Sequence, residues 1–173
     1  ADLSIDIGRR VSLDEDEIQD LGIAALLCQV GKISFNDHLF QGAQLTFGHE
    51  ELSLFQKHPT YSEAALVFAP PLATVALILK QHKEVLDGSG YPEGLTGTQI
   101  DLRALILGIV TRYTESINGQ YFERRLTHSE SRDHLMSLAE TQYPSALLDT
   151  ACRVIDEWQK QQLGAPENCV AIR

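Results

Sequence analysis

The stretch His82-Lys83-Glu84-Val85-Leu86-Asp87-Gly88-Ser89-Gly90-Tyr91-Pro92-Glu93-Gly94-Leu95-Thr96-Gly97 carries four glycines and one proline between Asp87 and Gly97. Glycine admits backbone angles that a Cβ resists and proline fixes φ, so the segment predicts a compact loop with several left-handed positions. Apolar residues on both sides recur at three- and four-residue steps. Before the loop, Leu72, Val75, Ala76 and Leu79 predict a helix that carries on toward Leu86, with His82 near its end. After it, Leu102, Leu105, Ile106, Ile109, Val110, Tyr113 and Ile117 predict a helix with a broad apolar face, ended by Asn118-Gly119. The loop is thus a connector between two helices, and the second of them is central.

The same period extends outward, and no stretch alternates as a half-buried strand would. The class is all-α, a bundle of about seven helices. The first runs from Asp2 to Arg10. Ser12-Leu13-Asp14-Glu15 has capping-box form and predicts a helix from about Asp14 to Val30, ending at Gly31. A polar loop follows, then helices over Glu50 to Lys57 and after Pro59. Thr127-His128-Ser129-Glu130 is a second capping box, and Pro144 opens a last helix through Trp158 to about Gln162.

At 173 residues and 43% hydrophobic content the chain suffices for one core, so a single domain over residues 1–173 is expected. A formal net charge of −10, with no basic cluster beyond Arg9-Arg10 and Arg124-Arg125, excludes a nucleic-acid polymer as partner. Cys28, Cys152 and Cys169 are odd in number and lack CxxC spacing, which fits a reducing cytoplasm. The apolar runs Leu21 to Cys28 and Pro70 to Leu79 fall short of the ~20 residues that span a bilayer, so no membrane insertion by this domain is expected.

His-x-Glu at 82–84, the loop with Asp87, Gly88, Gly90, Tyr91 and Pro92, and Gly97-Thr98-Gln99-Ile100 together resemble the HD-GYP branch of the HD metal-dependent phosphohydrolases. Gly31-Lys32-Ile33 resembles the end of the family's HD-x-GK-I motif, His58-Pro59 its later His-Pro, and Tyr143-Pro144 its closing Phe-Asp-Pro. The resemblance runs in order over most of the chain. It implies an all-helical HD-type bundle and a place in bacterial cyclic di-GMP signalling, where active members hydrolyse the dinucleotide with two or three metals, such as iron or manganese. The first helix, Asp2 to Arg10, starts almost at the chain end, so a domain cut from a longer multidomain signalling protein is expected.

Two-metal hydrolysis requires carboxylates to neutralise the cations, imidazoles to complete coordination and a metal-bound hydroxide to attack phosphorus. On this alignment the family's His-Asp pair falls on Cys28 and Gln29, its single histidine on His58, its double histidine on His82 and Lys83, and its later aspartate on Thr111. Only His58 and His82 remain. The exchanges remove two negative charges and add one positive, about three units of change, and Lys83 repels a metal by several kcal/mol at an effective dielectric of ~20. No metal or other cofactor is therefore expected, with His58 and His82 the ligands if any are bound. Cys28, His58 and His82 could together hold zinc, but Cys28 continues the apolar run Leu21 to Leu27 and is preferred as a small buried hydrophobe. Glu115, one turn beyond Thr111 on the same helical face, could offer a replacement carboxylate.

Three functions follow from the resemblance. The first is a catalytically inactive regulatory or protein-interaction module, whose loop presents Tyr91 to signalling domains such as GGDEF diguanylate cyclases. Tyr91 packed inward as a clamp is the equal alternative. The second is a metal-free cyclic di-GMP sensor, with Lys32 and Lys83 as phosphate contacts. Against it, two basic positions of the family's following segment are Gln120 and Glu123 here, with Arg124-Arg125 displaced beyond them. The third is a residual phosphodiesterase with an atypical metal site.

Overall fold

A computed structural model describes residues 1–164. Among them are nine α-helices: α1 Asp2–Arg10, α2 Glu15–Leu27, α3 Asp37–Gln41, α4 His49–Phe55, α5 His58–Leu66, α6 Ala73–Gln81, α7 Leu102–Asn118, α8 His128–Met136 and α9 Ser145–Gly164. The β-type pairing among these residues is limited to two isolated bridges, Asp87 with Thr96 and Ala139 with Tyr143. The all-α class is therefore observed. The helix beyond the expected set is α3, five residues inside what the sequence presents as a polar loop, capped by Asn36 through a 3.0 Å bond from the Leu39 amide.

α7 is the axis. It buries Ala104 to Thr111 without interruption, together with Tyr113, Glu115 and Ser116, and packs against α1, α2, α6, α8 and α9. A helix buried on most of its circumference requires apolar neighbours on every side, and Ile7, Leu21, Ile78, Leu148 and Ile155 supply them. α7 ends where the sequence predicts, at Gly119 with a left-handed φ of 77°. The Thr127 box is present, with Glu130 Oε2 accepting from the Thr127 amide at 2.8 Å.

Three boundaries differ from expectation. The first capping box is formed by Asp14 and Glu17, while Ser12 is left-handed at φ 65° and outside the helix. α2 ends at Leu27 instead of Val30, and Val30–Lys32 form a separate 3-10 turn. α6 stops at Gln81, not Leu86, so that His82 is its C-cap and Lys83 points off the helix into the interior. The last two departures share a cause, because the side chains of Lys32 and Lys83 converge on one buried carboxylate. Cys169 lies outside the described residues.

Candidate functional site

Three segments meet on one face of α7. The 3-10 turn brings Lys32, the start of α5 brings His58, the end of α6 brings His82 and Lys83, and α7 itself brings Thr111 and Glu115. Gly31 holds the turn against α5 by donating its amide to Ser62 Oγ at 3.1 Å.

The two imidazoles are prepared alike. His58 Nδ1 donates to the Phe55 carbonyl at 2.8 Å and His82 Nδ1 to the Leu79 carbonyl at 2.6 Å, so each must carry its proton on Nδ1. Their rings lie 5.4 Å apart, and His58 Nε2 is buried without a partner. Burial first, then the neighbouring Lys83 charge, holds the His82 imidazole down at about 3. Burial, then His82 and Lys32, holds His58 well below its ordinary value. Both rings are neutral at pH 7.

Glu115 is the centre of the cluster. Lys83 Nζ donates to its carboxylate at 3.0 and 2.9 Å and to Thr111 Oγ1 at 3.3 Å, while Lys32 Nζ lies 3.2 Å from Oε1. The three side chains are only 8%, 5% and 4% exposed for Lys83, Lys32 and Glu115, so this is a buried ion triad rather than a surface pair. Burial alone would raise the Glu115 carboxyl, but Lys83 and Lys32 override it and hold the group far below the usual carboxylate range. Burial pushes Lys83 down to about 8, with Glu115 opposing the fall, so the ammonium persists at neutral pH. Lys32 also stands 4.9 Å from the Phe55 ring centre. The ammonium groups that the sequence offers as phosphate contacts are thus both engaged by Glu115.

The other candidate positions diverge. Cys28, at the C-cap of α2, is half-buried, and burial pushes its thiol up against the lowering pull of Lys83 and Lys32. Gln29 is exposed. Among the described residues no group of three or more His, Cys, Asp or Glu is placed to hold a metal ion. Two divalent cations do not fit here, because the one central carboxylate is neutralised by two ammonium groups within about 3 Å.

The glycine-rich loop is held from within by Glu84, which is 1% exposed. Its carboxylate accepts from the amides of Glu93, Gly94 and Leu95 at 2.6, 3.2 and 2.9 Å. Asp87 Oδ1 accepts from the amide and hydroxyl of Ser89, and Lys80 pairs with Glu93 at 3.1 Å. The expected left-handed glycines are Gly88, Gly94 and Gly97. Gly90 serves close approach instead, since a Cβ there would stand 2.5 Å from Glu84 Cα and 2.6 Å from the Lys83 carbonyl. Tyr91 turns inward, its ring 5.9 Å from that of His58 and its hydroxyl buried, while Pro92 is exposed. The inward position fits the clamp, and an exposed Tyr91 is not what the loop presents.

The HD domain profile matches residues 1–147. The chain belongs to the HD domain family. It is 26% identical over 146 residues to the cyclic di-GMP phosphodiesterase PdeB of Borreliella burgdorferi, covering 84% of this chain and 38% of that protein. It is 29% identical over 124 residues to the cyclic di-GMP phosphodiesterase response regulator RpfG of Xanthomonas campestris, covering 70% of this chain and 32% of that protein. The HD domain chain thus spans about a third of the length of these curated relatives. The solved structure of Bd1817, an HDG"Y"P protein from Bdellovibrio bacteriovorus, shares the fold with a TM-score of 0.73 at 22% identity, over 89% of this chain and 49% of that one. No helix among the described residues is long and apolar enough to cross a membrane.

Two features escaped the sequence. Glu84 lies inside the motif, yet its three amide contacts depend on a loop path that residue spacing does not disclose. Arg112 gave no signal, and it stands over the Tyr121 ring with its guanidinium carbon 3.9 Å from the centre.

Proposed function

We propose that this HD-GYP domain is a non-hydrolysing, cytoplasmic regulatory module of cyclic di-GMP signalling, and that it acts by docking other signalling domains, of which GGDEF diguanylate cyclases are the first candidates. The observation that carries this reading is Glu115 locked between Lys32 and Lys83, the latter at a position where the family resemblance expects a metal ligand. Ammonium groups supply the positive charge without a coordination sphere, so no bound water is acidified and no hydroxide is generated. The relatives named as cyclic di-GMP phosphodiesterases support the signalling context. The rigid loop, with Pro92 and Glu93 outward, supports a docking role.

The test is incubation of the purified chain with cyclic di-GMP and manganese. No product above background is expected, and chelation should leave the melting temperature unchanged. Linear dinucleotide or GMP that disappears in His82→Ala would overturn the proposal.

A further inference from the structure

Beside the Lys83–Glu115 pair a cavity of about 170 Å³ opens between the glycine-rich loop and α7, walled by Lys83, Tyr91, Arg112, Tyr121, Gln142 and Gln44 among others. Its chemistry is unusual for a chain of net charge −10. Lys83, Lys32 and Arg112 bring three positive charges to this region against the single carboxylate of Glu115, since both histidines are neutral. Arg112 has no carboxylate within 4.0 Å among the described residues, and its guanidinium is flattened on Tyr121. Stacking orients the planar fork, which also bonds the side chains of Tyr121 and Tyr143, and two such bonds leave further donors among a guanidinium's five N–H groups.

Two other groups in the wall, unlike Arg112, lack partners. The Tyr91 hydroxyl is buried with none, and burial pushes it well above its ordinary pKa, so it remains a donor. The Gln142 carboxamide oxygen is likewise buried and unpartnered, and a half-turn of that amide presents its NH₂ instead. Buried polar groups without partners cost on the order of 1–3 kcal/mol each, so their collection around one polar cavity marks a place built for an occupant.

We propose that this cavity binds one small oxyanion of the phosphate class, gripped by Arg112 and completed by Tyr91 and Gln142. A cavity of about 170 Å³ has room for one oxyanion with a few waters. Pockets for larger ligands start at about 300 Å³, so a whole cyclic dinucleotide is too large. The site does not depend on whether the domain hydrolyses anything, because Arg112, Tyr91 and Gln142 are outside the ion triad.

The experiment uses the intact chain and inorganic phosphate as the probe, with chloride at matched ionic strength and pH as the reference, read by melting temperature and calorimetric titration. A saturable rise with phosphate is expected. Arg112→Met should weaken the apparent affinity about tenfold or more, the scale of a lost charge-assisted pair. Tyr91→Phe should weaken it several-fold while the protein stays folded, since the hydroxyl has no partner to lose. Arg124→Ala, an exposed arginine outside the cavity wall, should leave the titration unchanged. No saturable response to phosphate, or one that survives both Arg112→Met and Tyr91→Phe, overturns the proposal. A response to cyclic di-GMP with none to phosphate also overturns it, by assigning recognition to the dinucleotide instead.

Discussion

At the scale of the residue, Glu115 decides the chemistry of the centre. Glu115→Gln leaves two buried ammonium groups with no counter-charge, and a loss of roughly 3–5 kcal/mol in unfolding free energy is expected from chemical denaturation. Replacing Lys32, Lys83 and Glu115 together by Met should instead be close to neutral or stabilising, because the desolvation cost leaves with the charges. A single variant as stable as the parent would show that the triad is solvated and weak. His82 gives a pH signature. Its pKa is 6.5 in the unfolded chain and about 3 when folded, so the unfolded state binds more protons between these values. Its contribution is complete above pH 6.5 and is lost as pH falls, by roughly 3 kcal/mol at pH 4. The stability of His82→Leu should therefore fall less steeply between pH 6.5 and 4, and parallel curves for the two proteins would refute the buried neutral imidazole.

The loop and α7 carry the argument at the scale of the element. Glu84→Ala removes the carboxylate acceptor of three main-chain amides, so stability should fall by roughly 2–4 kcal/mol. Hydrogen exchange at residues 93–95 should accelerate selectively, and uniform exchange rates would show that the loop is held by something else. Elements were legible in the sequence wherever one helix's own pattern determined them. α7 and the Thr127 box satisfy themselves locally, and both stand where the apolar period and the S/T-x-x-E spacing place them. α6 was read too long because Val85 and Leu86 continue its apolar content. The chain leaves the helix at Gln81 so that Lys83 can reach Glu115, 32 positions later. The triad could not be foreseen for the same reason, since Lys32 and Glu115 are 83 positions apart and their pairing depends on how the turn after α2 docks on α5.

At the scale of the whole molecule, the core surrounds α7, whereas Phe68 at 96% exposed, Val67, Leu26 and Ile33 remain outside it. Phe68→Ser should change stability by less than about 0.5 kcal/mol, because no packing is lost; a larger drop in a denaturant titration would place the ring against the fold. The all-α architecture was readable from periodicity alone, whereas His58, His82, Lys83 and Thr111 were brought to attention only by the family resemblance that the glycine loop carries. What the centre contains was not readable, because lysine in place of a ligand says that charge changed without saying where its ammonium goes. A domain whose fold depends on a metal reaches its native state only when an ion arrives from solution, so its maturation has a second-order step. Here the cross-link among the turn after α2, the end of α6 and α7 is synthesised with the chain. On the metal-free reading proposed above, its refolding should be first-order in protein alone, at a rate that neither chelator nor added manganese changes.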